Sequence, residues 1–150
     1  MYGWAGTILR VNLSSGKIEK EPLDEALGRN YIGGRGINSK ILYDEVKPGI
    51  DAFDPENRLI FGSGPLTGIG LLSSGRYTVT AKSPINGLLG DGNSGGHFAP
   101  ELKFAGYDHI VFQGKAEKPV YLWINDENVE LRDATQLWGK TTSETRRTIE

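Results

Sequence analysis

The chain has 150 residues and no cysteine, and its 17 basic and 19 acidic side chains leave a net charge of −2. A chain of this length suits one domain with its own buried core. The absence of cysteine excludes a disulfide framework, a thiol nucleophile and a thiolate-held zinc or iron–sulfur cluster within these residues. The interspersed charges argue against nucleic acid or an anionic membrane as a partner. Because no basic-then-apolar leader and no membrane-length apolar run is present, we expect a cytoplasmic protein without membrane insertion.

Alternation of apolar and polar residues predicts seven strands. They lie at residues 6–13, 17–22, 59–61, 77–82, 109–113, 120–125 and 129–133. Short turn sequences separate the first two strands and the last two, so each of these pairs is expected to form a hairpin.

Four short helices are predicted between and after these strands. Asp24 is expected to cap the first, which extends to Leu27, and the glycines of residues 33–36 break the chain before the second. The third covers residues 97–105, and the fourth begins within residues 141–145. Because strands outnumber helices and hairpins outnumber crossovers, we expect one α+β domain with a mixed or antiparallel sheet and flanking helices. The pattern leaves open that the domain consists of two similar α+β halves.

Glycine and small polar residues are concentrated between residues 62 and 96, a stretch that holds ten of the 21 glycines. We expect residues 90–96 to form a loop whose exposed N–H groups, together with the start of the next helix, favour a phosphate. Gly90, Gly92 and Gly95 also match the G-x-G-x-x-G pattern. No full strand precedes them and no acidic residue ends a second strand at the expected distance, so a general phosphate site is favoured over a dinucleotide site.

Two polar side chains in this region are candidates for ligand binding. Arg76 is either a solvated residue at a strand end or a planar group that holds a phosphate or a ring edge. Asn93 either caps the following helix or supplies an amide oxygen to Mg²⁺ beside phosphates. His97 is expected to pack at a helix start. No Ser/His/Asp order, paired carboxylates or metal-ligand spacing predicts a catalytic centre, so no residue is assigned a catalytic role.

The order of several motifs resembles the tungsten- or molybdenum-dependent aldehyde ferredoxin oxidoreductases. The matching motifs include Gly64-Pro65-Leu66-Thr67-Gly68, Gly75-Arg76-Tyr77, Lys82-Ser83-Pro84, Asn93-Ser94-Gly95-Gly96 and the segment from Glu101 to Asp108. They occur in collinear order over nearly the whole chain, so the resemblance is far more specific than a single glycine pattern.

The resemblance implies that residues 1–150 are the N-terminal tungstopterin-binding domain of a longer protein. In this family two pyranopterins chelate one tungsten or molybdenum ion, as tungstopterin or molybdopterin, and a Mg²⁺ ion links their phosphates. By resemblance, Arg76 would hydrogen-bond a pterin and lie between it and an iron–sulfur cluster. Asn93 would contact the magnesium–phosphate centre, which makes it the one candidate metal contact. Ser94 and Gly95 would line the same loop.

The implied activity is the oxidation of an aldehyde to a carboxylic acid, with electrons passing through a [4Fe–4S] cluster to ferredoxin or another electron-transfer subunit. The ligands of the cluster and the catalytic groups are expected outside these residues, so the segment alone would be inactive. Homo-oligomers are common in the family, which makes a homo-oligomer a candidate assembly for the parent protein. Two alternatives remain: a stand-alone pterin- or phosphate-binding or assembly module without catalysis, and an enzyme that handles phosphates at the Gly90 loop.

Overall fold

A six-stranded mixed sheet forms the centre of the computed structural model, which describes residues 2–149. Its strands are β1 (Thr7–Asn12), β2 (Ile18–Pro22), β3 (Arg58–Ser63), β4 (Tyr77–Lys82), β5 (Leu89–Ser94) and β6 (His109–Gln113). Their spatial order is β2-β1-β6-β3-β4-β5; the β1–β6 pair is parallel and the other pairs are antiparallel. Strands β7 (Val120–Asn125) and β8 (Asn128–Asp133) form a separate antiparallel hairpin. The predicted α+β class with a mixed sheet is confirmed, and the expectation of two similar halves stays a prediction.

Two helices pack together on one face of the sheet. They are α1 (Glu25–Tyr31) and α2 (Arg35–Glu45). Asp24 caps α1 as predicted, since its side chain accepts from the amide N–H of Ala26 at 3.2 Å. The helix continues beyond the predicted end at Leu27 as far as Tyr31, and Gly28 within this extension is buried. The predicted break over residues 33–36 is also too long, because α2 begins at Arg35 and includes Gly36. Glycine is required at this position of the helix, since a Cβ there would collide with the carbonyl of Tyr31.

The remaining helices lie in the second half of the described chain. They are α3 (Phe98–Phe104), α4 (Thr142–Ile149) and a 3₁₀ turn at Thr135–Leu137. Pro100 lies in the first turn of α3, where a missing N–H does no harm. Thr141 and Glu144 cap α4 reciprocally, with each side chain accepting from the other's backbone N–H. None of the helices in residues 2–149 has the length and apolar character needed to cross a membrane.

The sheet has an apolar core on each of its faces. Along β1, Ile8 points into the core covered by α1 and α2, whereas Leu9 points into the core covered by α3 and the β7–β8 hairpin. Ile60 on β3 and Val111 on β6 join the first core. Because both faces are covered, the central strands carry apolar residues on both sides, which fixes their register.

A strained turn connects α1 to the start of α2. Ile32 has φ 66° and ψ −62°, and the N–H of Gly33 donates to the carbonyl of Tyr31 at 2.7 Å, which defines a γ-turn of the rare positive-φ type. A β-branched residue rarely adopts this conformation. The indole N–H of Trp4 donates to the carbonyl of Ile32 at 2.7 Å and holds the turn in place.

Replacing Ile32 by glycine is expected to raise the free energy of unfolding by about 1 kcal/mol, because glycine adopts positive φ without the steric cost. The side chain is 63% exposed, so little apolar burial is lost. Urea unfolding measures the change. Ile32→Ala is the matched control and should bring no comparable gain, since alanine keeps a Cβ; equal stabilities of the two variants would argue against strain at this residue.

Candidate functional site

The predicted site residues meet at one end of the sheet, where β4 begins and β5 ends. Arg76 immediately precedes β4, and Asn93 and Ser94 are the last residues of β5. The register pairs Asn93 with Thr78. Gly95 follows in the connection to α3, and all four predicted residues are exposed. The structure therefore brings these residues together, while their role in binding stays a prediction.

Arg76 and Asn93 are in direct contact. Nη1 of Arg76 donates a hydrogen bond to Oδ1 of Asn93, and Nδ2 of Asn93 donates to Oγ1 of Thr78 at 3.2 Å. An amide oxygen has two lone pairs and a guanidinium has five N–H donors, so both side chains keep bonding capacity beyond this contact. The pair can thus present one acceptor and several donors to a ligand.

The prediction of a loop over residues 90–96 is wrong for residues 90–94. Residues 89–94 form the edge strand β5, which pairs with β4 along all six residues. Glycine and aspartate disfavour strands, but pairing with β4 overrides this weak preference. Consequently Asn93 does not cap α3. His97 occupies the cap position of α3, but it makes no side-chain cap bond and is exposed rather than packed.

A second arginine belongs to this region, although the sequence analysis does not single it out. Arg35 is the first residue of α2, and its Nε donates to Oδ2 of Asp91 on β5 at 2.7 Å. Asp91 and Asn93 are two residues apart on one strand and therefore point to the same side of the sheet. One sequence feature could have indicated Arg35 as a site residue: it lies between Gly34 and Gly36, much as Arg76 follows Gly75.

Two glycines permit close backbone approaches that build the site. A Cβ at Gly33 would lie 2.8 Å from the carbonyl oxygen of Ser63, and a Cβ at Gly75 would lie 2.6 Å from that of Gly96. Side chains at these positions would push the segments apart. In contrast, a Cβ at Gly95 would meet no atom within 4 Å. The first two glycines therefore serve packing, whereas Gly95 borders open space.

A buried polar network lies between α2 and the strands beneath the site. Nδ2 of Asn38 donates to the carbonyl of Thr78 at 3.0 Å and to Oγ1 of Thr80 at 3.1 Å. The same nitrogen also donates to the carbonyl of Ile60 at 3.3 Å. Oδ1 of Asn38 lies 2.8 Å from Nδ1 of His109. Because Nδ2 faces three acceptors, Oδ1 must accept, and we assign the proton of His109 to Nδ1.

Burial lowers the pKa of His109 to about 4, with a further lowering by Lys103 and an opposing contribution from the Asp108 charge. The imidazole is therefore neutral at pH 7. Its Nε2 is buried and has no hydrogen-bond partner within the described residues.

Acid is expected to destabilise the protein through His109. Between pH 6.5 and about 4 the unfolded chain protonates this histidine and the folded chain does not, so the free energy of unfolding falls as the pH falls through this window. The loss attributable to His109 is about 3 kcal/mol at pH 4. Urea unfolding of wild type and His109→Asn at pH 7 and pH 4 measures it. The variant should lose about 3 kcal/mol less than wild type, and equal losses would contradict a buried neutral imidazole.

The donor set of the site suits an anion better than a bare cation. Within residues 2–149, no cluster of three or more His, Asp or Glu side chains could hold a metal ion. The site offers the guanidinium of Arg76, and a guanidinium favours phosphate or carboxylate; the guanidinium of Arg35 on α2 is already paired with Asp91. Asn93 alone supplies one oxygen, so a cation beside it would need further ligands from a bound molecule.

Comparisons with known proteins identify the family. Residues 8–150 match the sequence profile of the family described as aldehyde ferredoxin oxidoreductase, N-terminal domain. Tungsten-containing aldehyde ferredoxin oxidoreductases from Pyrococcus horikoshii and Pyrococcus furiosus are each 52% identical over 149 residues, which cover 99% of this chain and 24% and 25% of the relatives. The structure also resembles a chain of the active site complex BamBC of benzoyl coenzyme A reductase in complex with 1,5-dienoyl-CoA. The TM-score is 0.96 with 44% identity, and the match covers 99% of this chain and 23% of that chain.

The chain spans about a quarter of the length of the curated relatives that it matches. The family profile and the relatives cover nearly all of it, and the fold agrees with a solved structure over the same range. On these grounds the chain belongs to the aldehyde ferredoxin oxidoreductase family, of which it is an N-terminal domain.

Proposed function

We propose that this chain binds the cofactor of a tungsten-containing oxidoreductase, and that Arg76, Asn93, Ser94 and Gly95 contact the phosphate-bearing part of a tungstopterin. The observation that carries the proposal is the direct contact between the Arg76 guanidinium and the Asn93 amide at an exposed end of the sheet. The tungsten-containing relatives support a tungsten cofactor rather than an unspecified phosphate compound.

The residues present fit such a cofactor. Arg76 can donate several N–H bonds to phosphate or to a pterin ring edge, and the backbone at Gly95 faces open space. Oδ1 of Asn93 keeps one lone pair for a Mg²⁺ ion held mainly by phosphates. Because these 150 residues contain no cysteine, sulfur ligands of a tungsten ion at this site would have to come from the cofactor or from outside these residues.

The parent protein is proposed to oxidise a small aldehyde to a carboxylic acid. Bound tungstopterin would supply the two-electron redox chemistry, and a [4Fe–4S] cluster outside these residues would pass the electrons to ferredoxin or another electron-transfer subunit. The names of the curated relatives support the substrate class and the acceptor. A cytoplasmic location and a homo-oligomer are part of the same proposal.

Arg76→Gln in the native full-length protein is expected to lower the tungsten content per folded molecule about ten-fold, because one lost charge-assisted hydrogen bond weakens binding by about 1.5–3 kcal/mol. Plasma mass spectrometry of the purified protein measures tungsten, and fluorescence after oxidation measures released pterin. Arg29→Gln is the matched control, since Arg29 is 72% exposed and pairs with Glu25 on α1.

Normal tungsten and pterin content in Arg76→Gln would contradict the proposed site. Wild-type full-length protein that carries neither tungsten nor molybdenum would instead favour the alternative of a binding or assembly module without catalysis.

A further inference from the structure

We propose that Thr78 is a positioning residue that fixes the amide orientation of Asn93, and that Asn38 and His109 hold Thr78 in place. The inference rests on the proposed function, because it concerns how Asn93 presents its oxygen to the cofactor. The four residues form one continuous hydrogen-bonded path from the buried core to the exposed site.

The path begins at the exposed end with the amide of Asn93. An asparagine amide can place either its oxygen or its nitrogen toward a given neighbour. Arg76 carries only donors, so the oxygen of Asn93 must face it. The nitrogen then faces Oγ1 of Thr78 at 3.2 Å, and the buried hydroxyl accepts from it. Without that hydroxyl the nitrogen loses its partner, and the amide can rotate away from the arginine.

The next step fixes the backbone of Thr78. Its carbonyl accepts from Nδ2 of Asn38 at 3.0 Å, which ties the first turns of α2 to β4. The same nitrogen also reaches Oγ1 of Thr80 at 3.1 Å, so two positions of β4 are held from one side chain. At the start of α2, Gly34 lies beside the Thr78 hydroxyl, since a Cβ built on Gly34 would be 3.6 Å from Oγ1 of Thr78.

The last step fixes Asn38 itself. Asn38 and His109 are both completely buried, and Nδ1 of His109 lies 2.8 Å from Oδ1 of Asn38. If Asn38 were reversed, its oxygen would face the carbonyls of Ile60 and Thr78 and repel them. The two carbonyls therefore set the orientation of Asn38, and an N–H at Nδ1 of His109 satisfies the amide oxygen in that orientation. Gly62 makes room for this contact, since a Cβ there would collide with both side chains.

The test compares Thr78→Val with Thr78→Ser in the native full-length protein. Valine keeps the shape of the side chain and removes the acceptor, whereas serine keeps the hydroxyl. The readout is the rate at which tungsten leaves the purified protein during dialysis, measured by plasma mass spectrometry, together with the melting temperature. Loss of a group that orients a ligand typically weakens metal binding 10–100-fold. We expect tungsten to leave Thr78→Val about ten-fold faster than wild type and Thr78→Ser at nearly the wild-type rate.

A double-mutant cycle separates positioning from general stability. If Thr78 acts through Asn93, Thr78→Val should not accelerate tungsten loss further in an Asn93→Ala background. A purely structural role would accelerate it in both backgrounds. His109→Asn, which keeps a donor near Nδ1, should retain tungsten better than His109→Leu.

The outcomes also distinguish this inference from the proposed function. If Arg76→Gln and Asn93→Ala lower tungsten retention and Thr78→Val does not, the positioning role is overturned and the site stands. If Arg76→Gln and Asn93→Ala leave retention unchanged, both proposals are overturned. Equal acceleration by Thr78→Val with and without Asn93 would also overturn the positioning role.

Discussion

Asp108→Asn is expected to lower the free energy of unfolding by about 3–5 kcal/mol, which is the usual cost of leaving a buried partner charge uncompensated. Nζ of Lys103 lies 2.6 Å from Oδ1 of Asp108, and the two side chains are 9% and 1% exposed. The carboxylate also accepts from the N–H groups of Ala5 at 3.0 Å and Gly6 at 2.7 Å. The substitution keeps the size of the side chain, but it places an amide among donors and leaves the lysine charge without a counter-ion.

The control for this variant is an exposed ion pair. Glu25→Gln breaks the ion pair between Glu25 and Arg29, whose side chains are 64% and 72% exposed, respectively. This substitution should lower the free energy of unfolding by less than about 1 kcal/mol. Urea unfolding at pH 7 measures both variants. Similar losses in the two variants would contradict a structural role for the buried pair. A double variant, Asp108→Asn with Lys103→Met, should recover part of the lost stability, because no charge then remains buried alone.

Gly62→Ala is expected to lower the free energy of unfolding by about 4 kcal/mol. The added Cβ would lie 2.6 Å from Cε1 of His109, and it would come closer still to Nδ1 of His109 and to Oδ1 of Asn38. Overpacking of a rigid core costs about 1–3 kcal/mol. Breaking the hydrogen bond between the two buried side chains adds about 1–3 kcal/mol, since the freed polar atoms are not resolvated.

Gly92→Ala provides the matched control within the same sheet. A Cβ at Gly92, on the edge strand β5, would meet no atom within 4 Å. Alanine there should leave stability within about 0.5 kcal/mol of wild type. Thermal unfolding measures the stabilities of Gly62→Ala and Gly92→Ala relative to wild type. A Gly62→Ala variant as stable as Gly92→Ala would contradict the packing of His109 and Asn38 around Gly62.

Sequence patterns were sufficient for the strands that carry alternating apolar residues. Strand β4 has the predicted bounds, and β6 with its apolar residues was found in full. Strand β5 was missed, because Gly90, Asp91 and Gly92 have no strand preference of their own and are held by pairing with β4. A strand formed by tertiary pairing alone leaves no periodic signal in the sequence.

The candidate site was only partly predictable for a similar reason. Side-chain chemistry made Arg76 and Asn93 candidates with two open interpretations each, the motif resemblance favoured binding, and strand register places the two side chains in contact. Asn38 and His109 are separated by 71 residues and meet only because α2 packs across the sheet. Neither residue has a local pattern that indicates a buried polar contact, so sequence reasoning did not select them.

The most direct test of the binding site is a crystal structure of the native full-length protein, with an anomalous difference map at the tungsten absorption edge. We expect a pterin cofactor whose phosphate lies within about 3.2 Å of the Arg76 guanidinium or of the backbone at Gly95, the upper limit for such hydrogen bonds. Asn93 should direct Oδ1 toward the phosphate-bound cation. A cofactor bound to another part of the protein, with Arg76 and Asn93 contacting only solvent, would contradict this account.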